Sequence, residues 1–257
     1  MANNIWAAMG FDDELGQSVG RINPAQVLEW TDPDGFEYVT EYLDPSGVSL
    51  CLFNTEVTGP QETFALRNPH LASVETFQVT PGFVAVDLLD DKGQLDNRFL
   101  VAVDDPQMYP SYPMGAIGEL ARFSRYQLGA VAQDVTVYDS VADWEARTEP
   151  LNDEGLRMGP RFVTSPWLFA LTAGDAAAED ARSISIFVAV CEDVETARNE
   201  LTGREWYRIE ADCGFPCTLA LPIDASPAPR VGSVIDGKAF LTGTTGIWQD
   251  ARSRPAR

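Results

Sequence analysis

Short apolar segments of strand length, each closed by a turn built from Asp, Pro, Ser and Gly, most narrow what this chain can become. Asp32-Pro33-Asp34-Gly35 and Asp44-Pro45-Ser46-Gly47 bracket Phe36 to Leu43, and Asp90-Asp91-Lys92-Gly93 separates Phe83 to Leu89 from Arg98 to Val103. Pro presets φ for a turn, Gly supplies positive φ, and Asp bonds the backbone two residues on, so each tetrapeptide reverses the chain for a chemical reason. Val48 to Phe53, Ala72 to Val79, Ser183 to Glu192, Glu205 to Asp212, Cys217 to Ile223 and Ser233 to Thr242 read as further strands. In the second of these, Val74, Thr76 and Gln78 oppose Glu75, Phe77 and Val79, the period of two that separates the faces of a sheet. The fold expected is mainly β and antiparallel, two β-barrel or sandwich-like modules with a few short helices.

The helical signals are brief. Pro24 to Glu29 has Asn23 as a cap, and Ser140 to Arg147 has Ser140 as a cap with Asp143 three residues on. Gly115 to Val131 fits either a helix, through Ile117, Leu120, Ala121 and Leu128, or a bent strand. Arg161 to Leu171 reads as an edge strand or two pieces, because Pro166 cannot donate to a ladder. Gly174 to Arg182 is a short helix or a polar loop.

Charge restricts the partners. With 18 Lys and Arg against 39 Asp and Glu, the formal charge is -21. Such a surface repels phosphates and anionic lipid headgroups, so nucleic acid is an unlikely partner and a membrane is not expected. The charge serves solubility, or it forms a docking face for a basic partner or a loose cation site. Aromatic residues at 10% and hydrophobic residues at 45% of the 257 positions are enough for a packed core and argue against disorder. The opening residues, Met1 to Gly16, lack a basic start and a sustained apolar stretch, and the longest greasy run, Ile184 to Cys191, has only strand length. A cytoplasmic location is therefore expected.

Several chemistries lack their residues. The one histidine, His70, sits in a turn and cannot supply a multi-histidine metal site. There is no G-x-S-x-G, no phosphate-binding G-x-x-x-x-G-K-[ST] and no G-x-G-x-x-G, so no cofactor is expected. Gly243-Thr244-Thr245-Gly246 reads as a turn. Cys51 and Cys191 lie in apolar runs and read as core residues. Cys213 and Cys217 flank Gly214-Phe215-Pro216 at a spacing that is neither redox nor zinc-like, which leaves a turn disulfide or metal site as the alternative to two thiols. The densest carboxylates are Asp87, Asp90, Asp91 and Asp96 around one hairpin, with Asp104 and Asp105 after the next strand. They are a solvated turn or, alternatively, an acid/base or divalent-metal site. The loop around Met108, Tyr109, Tyr112 and Met114 gathers residue types enriched in interface cores and is a candidate contact surface.

Two stretches echo each other. Ser73 to Thr76, Phe83 to Asp87, Gly93 and Leu100 to Val103 parallel Asp193 to Thr196, Trp206 to Glu210, Gly214 and Thr218 to Leu221. From about Arg182 to Trp248, the second copy resembles an OB-fold in the order of its strands and turns, with Gly232 to Gly237 leading into Lys238 to Gly243 as the closing segment. The resemblance implies a small Greek-key barrel, one of a tandem pair if the echo is a repeat, in which Trp206, Tyr207 and Phe215 would be candidate binding aromatics. The nearby acidic residues and the scarcity of cations beyond Arg204 and Arg208 count against nucleic acid there. The expected division is residues 1–155 as an N-terminal module, 156–250 as the OB-like module and 251–257 as a basic flexible tail, with the boundary near Pro150 to Pro160. The function expected is non-catalytic binding or scaffolding, through a protein partner or self-association. The alternatives are a carboxylate-based, metal-assisted hydrolase and, more remotely, single-stranded nucleic-acid binding.

Overall fold

The computed structural model describes residues 5–111, 118–149 and 158–253. Helices α1 (Ile5–Ala8) and α2 (Leu15–Val19) precede a four-stranded antiparallel sheet of β1 (Val27–Glu29), β2 (Tyr38–Leu43), β3 (Val48–Thr55) and β4 (Gly59–Leu66), in that spatial order. A second, nine-stranded sheet follows. Its first strands are β5 (Ala72–Thr80), β6 (Phe83–Leu89), β7 (Leu95–Val103) and the 18-residue β8 (Ala121–Tyr138). After α3 (Val141–Arg147) come β9 (Phe162–Thr164), α4 (Pro166–Ala173), the 15-residue β10 (Ile184–Arg198), β11 (Glu205–Asp212), β12 (Pro216–Pro222), β13 (Val234–Thr244) and α5 (Ile247–Ser253). The fold is mainly β with few short helices.

The turns form for the reasons legible in their residues. Between β2 and β3, Asp44 Oδ1 accepts the Ser46 amide at 2.9 Å and Gly47 takes φ 98°. Between β6 and β7, Asp90 Oδ1 accepts the amides of Lys92 and Gln94, each at 2.8 Å. Ser140 caps α3 by accepting the Asp143 amide at 3.2 Å.

The pairings of the large sheet close two rings that share β8 and β13. In the first, β5, β6 and β7 form an antiparallel meander, β7 lies parallel to β13, and β13 returns through β8 to β5. In the second, β10, β11 and β12 form the meander, β12 lies parallel to β8, and β8 returns through β13 to β10. Each ring has the strand order of an OB-type Greek-key barrel, with one difference. The strand parallel to the third comes from the other half of the chain. Residues 121–126 of β8 serve the first ring and 129–131 the second, while residues 234–240 of β13 serve the second ring and 242–243 the first. Closure rests on short parallel contacts, two residue pairs between β7 and β13 and three between β12 and β8.

The closing segment expected from Lys238 to Gly243 is therefore part of one continuous β13. The register shifts between Lys238 and Ala239, and Gly237 precedes the shift with φ 150°. A Cβ at Gly237 would lie 2.1 Å from the Asp134 carbonyl oxygen on β8, so only glycine lets the strands cross this closely. The echoing sequences occupy equivalent strands of the rings: β5 with β10, β6 with β11 and β7 with β12. They do so at different points along the first strand, since Ser73 to Thr76 runs beside β8 whereas Asp193 to Thr196 lies beyond the part of β10 that pairs β13. The expected boundary falls largely on residues 150–157, which lie outside the described residues, as do residues 254–257 of the basic tail.

Three readings differ in detail. Residues 24–29 form a 3-10 turn, Pro24–Gln26, followed by β1, because Val27, Leu28 and Glu29 find ladder partners on β2. Pro166 separates β9 from a true helix, α4, where its missing N–H falls at a helix start that has no use for it. The segment expected as helix or bent strand runs as β8 from Ala121. Tyr126, Leu128, Ala130 and Ala132 point into the core of the rings, while Val131 joins a second cluster with Val48, Leu50, Phe64 and Leu66 of the small sheet and Ala8, Met9 and Phe11 of the entry segment. Both faces of β8 are thus buried here, which erases the alternation that would have marked a strand. No helix among the described residues is long and apolar enough to cross a membrane.

Candidate functional site

The aromatic residues singled out in sequence are placed apart. Trp206 is fully buried on β11; a Cβ at Gly10 would come within 3.0 Å of its ring, and Met9 and Phe11 share its cluster. Phe215, 7% exposed, stacks on Phe99 with centroids 5.1 Å apart. Tyr109 is buried and donates its hydroxyl to Asp105 Oδ1 at 2.8 Å. Met108 and Tyr207 are half-buried against the same core, and Tyr112 and Met114 lie outside the described residues. Trp206 and Phe215 are buried and Tyr207 is half-buried, so the three form no row of open stacking faces. His70 is exposed, with Nε2 3.4 Å from Glu210 Oε2. Arg204 pairs with Asp12 at 3.2 Å, and Arg208 with Glu195 at 2.7 Å.

The acidic hairpin separates into distinct roles. Asp87 is ion-paired to Arg98 across β6 and β7. Asp90 spends Oδ1 on turn amides, and Asp91 and Asp96 stand in solvent. Among the described residues, no three or more His, Cys, Asp or Glu side chains are placed to hold a metal ion.

Asp104 and Asp105 sit at the opposite end of β7, 1% and 0% exposed. Asp105 Oδ2 accepts the Thr245 amide at 2.8 Å and the Thr245 hydroxyl at 2.5 Å, while Oδ1 takes the Tyr109 hydroxyl, which stands 3.1 Å from that of Tyr126. Asp104 lies beside Ser49 and Thr244, but its Oδ1 has no hydrogen-bond partner. Burial pushes both carboxyl groups above the usual range, and the charge of Asp105 adds to the rise at Asp104. Nearby Glu41, 1% exposed, accepts Ser49 Oγ at 3.0 Å and pairs with Arg252 at 2.6 Å; burial raises it too, against the pull of Arg252. Perturbed carboxyl groups often mark active sites. These are sealed inside, joined to hydroxyls and amides that tie the small sheet and α5 to the ends of β7 and β13.

The cysteines are all buried thiols. Cys213 and Cys217 approach to 3.8 Å between sulfurs. Burial pushes Cys191 up to about 12, and the Cys213 contact followed by burial pushes Cys217 well up, which suppresses the thiolate needed for nucleophilic work.

Open to the surface, by contrast, is a cleft of about 610 Å³ where the turns of both meanders meet. Leu71, Leu88, Leu89 and Phe215 supply apolar walls, and Asp90, Asp91 and Asp96 line the acidic side. Among the described residues, no lysine or arginine lines it. Leu71 is 44% exposed, and Leu95 on the adjoining hairpin is 56% exposed. Sequence reasoning found the acidic half of this cleft and Phe215, but not Leu71, whose surroundings join residues more than a hundred positions apart. Comparison with protein-family models, with curated proteins and with solved structures finds no match for this chain.

Proposed function

We propose that this chain is a non-catalytic binding protein that takes a basic, partly apolar segment of a protein partner into the cleft between its two meanders. The single observation that carries the reading is the pairing of exposed Leu71 with Asp90, Asp91 and Asp96 around one concavity that, among the described residues, has no cation in its lining. Apolar side chains of the partner would cover Leu71 and Leu88, and lysine or arginine would meet the rim carboxylates. The reading also agrees with the burial of the perturbed carboxyl groups, which leaves them out of reach of a substrate.

The test is a calorimetric titration of the full chain with a twelve-residue peptide alternating Lys and Leu, beside its Glu and Leu counterpart. Binding of the basic peptide alone is expected, weakening as salt rises. Leu71→Asp and the double variant Asp91→Lys, Asp96→Lys should each abolish it. Equal binding of both peptides, or indifference to these substitutions, overturns the proposal. A concentration-dependent dimer lost in the same variants would replace the foreign partner by a second copy of the chain.

A further inference from the structure

In a chain with 39 acidic and 18 basic side chains, a concavity lined by more cations than anions runs against the overall charge. One opens between the β2–β3 turn and the β10–β11 hairpin, with a volume of about 430 Å³. Arg67, Arg198 and Arg208 line it, against Glu195 and Glu200. It shares no residue with the cleft at Leu71.

Beneath its lining lie unused donors. Ser46 Oγ, Arg67 Nε and Arg208 Nε are buried atoms with no hydrogen-bond partner, and all three residues line this pocket. Arg208 uses its other nitrogens on Glu195, at 2.7 Å, and on the Arg67 carbonyl, at 3.3 Å. Gly47 lies beside both arginines: a Cβ there would lie 3.6 Å from Arg208 Nε and 3.6 Å from Arg67 Cβ. The Arg67 guanidinium is half-buried and, among the described residues, has neither an ion pair nor a hydrogen bond. Glu41, whose charge reaches it, is already held by Arg252. A half-buried guanidinium without an acceptor is unfavourable for the fold alone, and burial lowers its affinity for its own proton. The positive charges of Arg252 and Arg208 act in the same direction.

We propose that this pocket binds the phosphoryl group of a small phosphate monoester, with Arg67 and Arg208 as charged donors and the Ser46 hydroxyl as the third. A phosphoryl group has three free oxygens, one for each donor, and near two negative charges to offset the arginines. A carboxylate has two oxygens and one charge. The volume exceeds that of bare phosphate and leaves room for the body of the molecule. Arg198, exposed at the rim, adds a cation that would steer the ligand inward.

Glycerol 3-phosphate, inorganic phosphate and acetate, titrated calorimetrically into the full chain at low salt, test this. Saturable binding is expected in the order monoester, phosphate, acetate. Arg67→Gln should weaken the monoester roughly tenfold or more, Ser46→Ala and Arg198→Gln several-fold, and none should alter the Lys-Leu peptide titration. Absence of saturable monoester binding, or equal binding in Arg67→Gln, overturns the proposal. If Arg67→Gln fails to fold by circular dichroism, unchanged binding in both Ser46→Ala and Arg198→Gln overturns it instead.

Discussion

Asp105 and Thr245 lie 140 residues apart, yet the Asp105 carboxylate takes both the Thr245 amide and the Thr245 hydroxyl. Asp105 follows β7 and Thr245 follows β13, and those strands pair through only Thr242 with Ala102 and Gly243 with Val103. The side chain therefore extends a short parallel junction that the backbone alone leaves weak. Asp105→Ala should cost roughly 3 kcal/mol of stability, since it orphans a buried amide and the Tyr109 hydroxyl. Asp105→Asn, which keeps an acceptor, should cost less. Urea unfolding measures both, and hydrogen exchange should show the Thr245 amide losing protection first.

Asp104 gives the chain a pH dependence of defined sign. Burial, then the Asp105 charge, raises its folded pKa above the unfolded value of about 3.9. Between those values the native state holds more protons than the unfolded state, so stability falls as pH rises through that window. Burial gives Asp105 and Glu41 the same sign. Asp104→Asn removes one of these contributions and should raise the melting temperature at pH 8, with the advantage shrinking towards pH 4. A melting-temperature difference that stays constant across that range would reject the assignment.

Gly237 and Gly93 both adopt positive φ but differ in crowding. An added Cβ meets the Asp134 carbonyl at 2.1 Å in the first case and open space in the second. Gly237→Ala should lose roughly 3 kcal/mol or more, because β8 and β13 must separate. Gly93→Ala should lose only about 1 kcal/mol, the penalty of left-handed backbone. Chemical denaturation midpoints compare them directly.

Asp44, fully buried, joins the small sheet to the second ring. It accepts the Tyr42 hydroxyl at 3.0 Å, the Ser46 amide at 2.9 Å and the Glu200 amide at 3.1 Å. Asp44→Ala should cost roughly 2–3 kcal/mol by leaving these donors without an acceptor. It should also loosen the β2–β3 turn, read as faster proteolysis there, while Glu195→Gln, at an exposed ion pair, changes stability by less than about 1 kcal/mol.

Local chemistry determined the strands and turns. Phe83–Leu89 and Glu205–Asp212 begin and end where alternation meets turn residues, and Ser140 announced α3, because period and capping depend only on near neighbours. Strand β8 was ambiguous because packing on both faces removes alternation, and Pro166 because an interrupted strand and a helix start look alike over a few residues. The sharing of β8 and β13 between two rings belongs to tertiary structure, since closure rests on pairings such as Gly129 with Thr218. So does the candidate site. Trp206 and Tyr109 had interface chemistry but are covered by Gly10 and Asp105, while Ser46, Arg67 and Arg208 carried no joint signal until three separate elements brought them to one pocket. Side-chain type and spacing are properties of a segment, whereas burial and convergence are decided by which distant segments pack against it.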